Sequence, residues 1–174
     1  MPLFLITGLP GSGKSTLCAE LKARGYEAYD GDEDGLAKWY DAQGQAIDEE
    51  RYRDRSPEFL RQHSRDISRK TVEGLSVKAR NKPIFLCGDP ENEVMLNDLF
   101  EEVFALVLDD VTRNQRLVTR TNNQWGKLPH EREYSIAYGK KWEEVRQQFG
   151  YTTIDSTQPT KRIADQILAK IGDM

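Results

Sequence analysis

A run of eight residues near the start, Gly8-Leu9-Pro10-Gly11-Ser12-Gly13-Lys14-Ser15, carries the densest chemistry in the chain. It fills every fixed position of the pattern G-x-x-x-x-G-K-[ST]. Glycines let the backbone curl until successive N–H groups converge on phosphate oxygens. A helix starting at the end of such a loop presents its positive terminus to the same anion. Lys14 is placed to reach the β- and γ-phosphates, the Ser15 hydroxyl to ligate Mg²⁺, and Thr16 to bond the α-phosphate. The run therefore predicts a nucleoside triphosphate with Mg²⁺ held by Gly8, Gly11, Ser12, Gly13, Lys14, Ser15 and Thr16.

Phosphoryl transfer needs more positive charge on the migrating group than one lysine supplies. Arg113, Arg116 and Arg120 recur at i, i+3, i+7, which puts them on one helix face. Arg116 and Arg120 are the expected clamp. Asp30 and Asp32 follow the second expected strand, Tyr26–Asp30, where one carboxylate can accept the proton of an attacking hydroxyl while its neighbour holds Mg²⁺. Asp30 is assigned the first role and Asp32 the second. Residues 120–130, polar and containing Gly126, read as a small lid that excludes water. Trp125 within it either shields the site or covers core.

These groups need a scaffold that brings them together. Leu3–Thr7, Tyr26–Asp30, Ile84–Cys87, Val103–Leu108 and Thr152–Ile154 read as short buried strands. Lys14–Arg24, Pro57–Arg80, Thr112–Arg120, Glu131–Phe149 and the stretch around Ile163–Ile171 read as helices. Within Pro57–Arg80 the expected buried side is Phe59, Leu60, Ile67, Thr71, Leu75 and Val77. Strands alternating with helices predict an α/β fold, a parallel sheet covered on both faces. Ligands of such sheets bind outside the carboxyl ends of the strands, where all the residues above are expected. One domain over residues 1–174 is the reading, with an acceptor-side excursion at 30–56.

Composition removes several alternatives. A net charge of −4 leaves no global field for nucleic acid. No apolar run approaches the ~20 residues that cross a membrane. Met-Pro-Leu-Phe-Leu-Ile carries no basic leader, and Cys18 and Cys87 form no disulfide framework, so a reducing cytoplasm is expected. His63 and His130 have no metal-ligand spacing.

Taken with these motifs, the chain resembles the small P-loop kinases, which include adenylate-kinase-like, shikimate-kinase-like and gluconate-kinase-like proteins. It is most similar to AAA-type, nucleoside-kinase-like sequences. The residues that carry this are Gly8–Thr16, Asp30-Gly31-Asp32, Phe85-Leu86-Cys87-Gly88 with Asn92, Arg116–Asn123 and Ile154–Pro159. The resemblance implies a three-layer P-loop NTPase sandwich with a five-stranded parallel sheet ordered 2-3-1-4-5. It also implies ATP as donor, Mg²⁺ as cofactor, and Asp155, Thr157 and Pro159 beside the adenine.

Two places depart from the pattern. Asp89 follows the third strand one or two positions late for the usual metal-binding aspartate. The stretch Glu33–Arg69 matches no acceptor signature, although it holds Trp39, Tyr40, Tyr52 and Arg51, Arg53, Arg55, Arg61, Arg65, Arg69. Aromatics there suit stacking on a base or sugar, and arginines suit an acceptor phosphate or carboxylate. The leading expectation is ATP-dependent phosphorylation of a small acceptor. The alternatives are a nucleotide-dependent switch or partner-binding ATPase, and a kinase acting on a nucleic-acid end.

Overall fold

Leu3-Phe4-Leu5-Ile6 offers no polar side chain to solvent on either side, and it can only be a strand buried on both faces. The computed structural model, which describes residues 2–47, 55–121 and 125–172, makes it the centre of the molecule. It forms strand β1 (Leu3–Thr7), flanked by β5 (Ile84–Cys87) and β6 (Glu102–Val107). Strand β2 (Glu27–Asp30) lies outside β5, and β7 (Thr152–Asp155) outside β6. The sheet order β2-β5-β1-β6-β7 is parallel throughout. Counted within the sheet alone, this is the expected 2-3-1-4-5.

Side-chain alternation along the strands divides the core into two layers. Phe4, Ile6, Phe85, Phe104 and Leu106 point to one side, against Leu17, Cys18 and Leu21 of α1 (Lys14–Ala23) and Ile163, Ala164 and Ile167 of α7 (Thr160–Gly172). The rings of Phe4 and Phe85 stack at 5.4 Å, and Phe104 lies 6.0 Å from Phe4. Leu3, Leu5, Ile84, Leu86, Val103 and Ala105 point to the other side. There they meet Val72 and Leu75 of α3 (Arg69–Lys78), Leu96 of α4 (Glu93–Leu96) and Trp142 of α6 (Pro129–Gln148). Full burial of each such side chain contributes about 1.5–3 kcal/mol, so the layers hold the sheet from both faces. Both cysteines are free and buried. Among the described residues no helix is long and apolar enough to cross a membrane.

The long helix expected over Pro57–Arg80 does not form. The segment divides into α2 (Pro57–Gln62), strand β4 (Ser64–Ile67) and α3. His63 is extended at φ −132°, ψ 149°, and Ser68 starts α3 afresh by accepting the Thr71 N–H at 3.2 Å. The strand exists because both of its edges find partners. On one edge it pairs antiparallel with β3 (Ala37–Tyr40), in the register Ala37↔Ile67 and Trp39↔Arg65. On the other, the Asn92 amide brackets Ile67, donating to its carbonyl at 2.9 Å and accepting its N–H at 3.2 Å. The Glu91 N–H adds a bond to the Arg65 carbonyl at 2.8 Å. Of the expected buried residues, Leu60, Ile67 and Leu75 are in the core, whereas Val77 is 56% exposed. The small β3–β4 sheet stands at the carboxyl edge of the main sheet and forms one wall of the site.

Candidate functional site

The strand order reverses across β1, so a crevice opens beyond the carboxyl ends of β1 and β5. The loop from Gly8 to Gly13 crosses it. Gly8, Gly11 and Gly13 have φ of +153°, +90° and +95°, values that side-chain-bearing residues rarely adopt. A Cβ on Gly8 would lie 2.7 Å from both the Leu106 carbonyl oxygen and Ser12 Oγ. Gly8→Ala should therefore cost about 1–3 kcal/mol of stability through overpacking and strain. Chemical denaturation measures it, and a change within ~0.5 kcal/mol, typical of neutral surface substitutions, would contradict the close approach. Ser12 Oγ is buried without a hydrogen-bond partner, an unfilled polar position in a cradle shaped for an oxyanion.

Lys14 folds back over this loop. Its ammonium donates to the Gly8 carbonyl and, at 3.4 Å, to that of Leu9, and it pairs with Asp89 Oδ1 at 3.2 Å. Burial pushes the Asp89 carboxyl above its ordinary value, and the Lys14 charge opposes that rise. The late position of Asp89 in the sequence thus still brings it to the phosphate loop.

The crevice widens into a cleft of about 1140 Å³. A drug-sized ligand site is typically about 300–1,000 Å³, so this one has room for two substrates. Gly11 to Thr16, Asp32, Asp89, Arg116 and Arg120 all line it. Arg116 donates to Ser156 O at 3.0 Å and to Ser156 Oγ at 3.3 Å, and the Ser156 hydroxyl donates in turn to Ser12 O. Arg120 donates to Trp125 O at 2.6 Å, and its Nε is buried without a partner. Burial lowers the Arg120 pKa, partly offset by Asp89 and Asp32. Arg113, on the same helix α5 (Asp110–Thr119), is 6% exposed and turned inward, paired with Asp110 at 3.0 Å.

Several predicted residues stand elsewhere. Asp30 is 4% exposed and is not part of the cleft wall. Its Oδ1 accepts the N–H groups of Asp32 at 2.9 Å and Glu33 at 3.0 Å, which shapes the turn after β2. Asp155 likewise holds its own loop, accepting from the Thr157 N–H and hydroxyl. From that segment Ser156, Gln158 and Thr160 face the cleft, and Asp155, Thr157 and Pro159 do not. The chain leaves β7 at Asp155 in a turn that Asp155 itself holds, and that turn sets which residues face the cleft. Arg61, Arg65 and Arg69 do not share a helix face. Arg61 ends α2, Arg65 lies in β4, and Arg69 pairs with Glu73 and Asp98.

The far half of the cleft was not legible from motifs. Trp39, Arg55, Arg65, Glu91, Trp125, Tyr134 and Tyr138 line it. Trp125 faces this half, donating from Nε1 to Ser135 Oγ at 3.1 Å. The lid expected at 120–130 is anchored by Glu131, which accepts from Gly126 N at 2.7 Å, and by Arg132, which donates to the Gly126 and Lys127 carbonyls. Its residues 122–124, and 48–54 of the acceptor-side excursion with Arg51, Tyr52 and Arg53, lie outside the described residues. The two histidines make main-chain contacts, His63 with Phe59 O and His130 with Arg55 O, each at 2.8 Å.

The donor set suits Mg²⁺. Ser15 supplies a hydroxyl, and Asp32 and Asp89 supply carboxylates, all hard oxygen ligands. Among the described residues no cluster of three or more His, Cys, Asp or Glu could hold a metal by itself.

No curated protein matches the chain. Among solved structures, deoxyadenosine kinase from M. mycoides with bound dATP shares 20% identity at a TM-score of 0.59, over 98% of this chain and 99% of that one. Shikimate kinase from Acinetobacter baumannii in complex with shikimate shares 15% at 0.66, over 99% and 94%. A gluconokinase from Sinorhizobium meliloti 1021 shares 17% at 0.58, over 99% and 92%. Residues 5–136 match the model of a family described as AAA domain. The chain belongs to that AAA-domain family and has the fold of the small P-loop kinases.

Proposed function

We propose that the protein transfers the γ-phosphoryl group of ATP, with Mg²⁺, to a hydroxyl of a small molecule. The observation that carries this reading is the continuity of the cleft. Phosphate loop and far chamber share one opening, with the Asp32 carboxylate on its wall. A nucleotide switch needs only the first half. A nucleic-acid end would need a shared arginine face, and Arg61, Arg65 and Arg69 are spread over three elements.

The N–H groups of the loop and the start of α1 hold the phosphates, and Lys14 exchanges Asp89 for their β- and γ-oxygens. Arg116 and Arg120 neutralise charge on the migrating group. Among the described residues both make hydrogen bonds to neutral oxygens, so both keep charge to give. Asp32 takes the proton of the acceptor hydroxyl as its oxygen bonds to phosphorus and the bond to ADP breaks. Mg²⁺ held by Ser15 and Asp89 would neutralise the β- and γ-oxygens. These roles differ from the expected ones, and the partners give the reason. Asp32 pairs with Arg65 on the acceptor side, and Asp89 with Lys14 on the donor side, while Asp30 is spent on its turn. Arg120 and Trp125 wall the cleft against water, and the free thiols fit a reducing cytoplasm.

ADP release in the presence of pooled hydroxyl compounds tests the activity. A rise over the no-acceptor rate with a matching phosphorylated product supports it, and an unchanged rate in every pool would leave a switch or ATPase. The Asp32→Asn variant should lose roughly 10²-fold or more in kcat with nucleotide affinity nearly intact. Added Mg²⁺ should rescue Asp89→Asn in part and Asp32→Asn not at all. A larger kcat loss from Asp30→Asn than from Asp32→Asn would reverse the assignment.

A further inference from the structure

We propose that the far chamber takes an uncharged hydroxyl compound with a flat ring face, and not a phosphorylated or carboxylated acceptor. This rests on the kinase reading above and narrows it. Arginines in an acceptor site usually announce an acceptor anion. Here the two described guanidiniums of that half are already committed to carboxylates. Arg65 Nη2 meets Asp32 Oδ1 at 2.7 Å, and Arg55 Nε meets Glu131 Oε1 at 3.1 Å. Glu131 is fully buried, so withdrawing Arg55 from it would leave a charge without its counter-ion in the interior. The faces of both guanidiniums are in use as well. Arg65 lies over the Trp39 ring and Arg55 over the Trp125 ring, each 5.7 Å from the centroid.

The remaining charge in the chamber is negative. Glu91 accepts the Tyr134 hydroxyl at 2.8 Å and the Arg65 N–H at 3.2 Å, and it enters no ion pair among the described residues. An incoming phosphate or carboxylate would meet Asp32 and Glu91, and among the described residues that line this half both cations are already paired. The donor half is the opposite case, since among the described residues Arg116 and Arg120 are held by neutral oxygens. The cleft is thus divided by charge, cationic where the triphosphate goes and neutral to acidic beyond. Trp125, half-buried with Trp39 packed 6.4 Å behind it, offers apolar ring surface, and the two carboxylates accept hydrogen bonds from hydroxyls. Nucleosides and pyranoses both present such a face with such hydroxyls.

Matched pairs decide it. Nucleosides are compared with their 5′-monophosphates, and aldoses with the corresponding aldonates, by ADP release and by mass of the product. The neutral member of a pair should be preferred at least about tenfold in kcat/KM, the ratio set by one unfavourable charge contact of ordinary size. The pair that responds tells nucleoside from sugar. Glu131→Gln, which removes the counter-charge of Arg55, should narrow that ratio within the same variant, whatever it does to the absolute rate. A ratio near one, a preference for the anion, or a ratio that Glu131→Gln leaves unchanged would overturn the proposal with the kinase reading intact. No stimulation by any member, with ATP binding seen in calorimetry, would remove the kinase reading and this one with it.

Discussion

Lys14→Ala should abolish phosphoryl transfer, lowering kcat roughly 10³-fold or more, which corresponds to about 4 kcal/mol of transition-state stabilisation. Two effects combine. The β- and γ-oxygens lose the lysine of the phosphate loop, and Asp89 loses its ion-pair partner at 3.2 Å. Burial already raises the Asp89 pKa against the opposing pull of Lys14, so without that pull the carboxyl holds its proton more firmly and binds Mg²⁺ less well. The variant should thus need more Mg²⁺ as well as turning over slowly. Single-turnover kinetics across a Mg²⁺ series measures both. Retention of more than about a tenth of the wild-type kcat would mean that Lys14 serves the fold of the loop and not the migrating charge.

Glu93→Gln should stabilise the protein at alkaline pH. Glu93 is 2% exposed beneath the phosphate loop, where Oε2 accepts the Thr7 hydroxyl at 2.7 Å and Oε1 has no partner. Trp142 donates to the same hydroxyl at 3.4 Å. Burial pushes the carboxyl up to about 7 from an ordinary 4.5. The folded state therefore binds a proton that the unfolded chain has lost between those values. Stability from this group is intact below about pH 4.5, falls as pH rises toward 7, and stays lower by roughly 3 kcal/mol above that. The amide of Gln cannot ionise, so the variant loses this slope. Denaturation at pH 5 and pH 8.5 should give similar values at the lower pH and a more stable variant at the higher one. Parallel pH profiles for the two proteins would show that Glu93 stays ionised or reaches water.

How much of this was legible in the sequence follows from the range of the forces involved. The phosphate loop is a local object. Its conformation comes from glycines at fixed spacing and its electrostatics from the helix it starts, so Gly8–Thr16 can be read without knowing what surrounds them. The five central strands were legible for a similar reason. Burial on both faces makes β1, β5 and β6 apolar runs, and alternation with helices leaves a parallel sheet as the arrangement that covers them. Arg116 and Arg120 shared a helix face in the sequence and share the cleft in the structure.

Tertiary structure decided the rest. Ser64–Ile67 has no strand pattern of its own and is a strand because β3 and Asn92 satisfy its backbone from either side. Those partners come from distant parts of the chain, and local propensity contains no trace of them. Asp30 and Asp32 differ by two positions and have the same chemistry, yet one is buried in the turn and the other lines the cleft. The choice was made by two backbone N–H groups that needed an acceptor. The acceptor chamber is the extreme case. Its arginines read as anion receptors in the sequence, because a sequence shows a charge but not its counter-ion. Asp32 and Glu131 approach Arg65 and Arg55 only in the folded chain, and that pairing, not the count of arginines, sets what the chamber accepts.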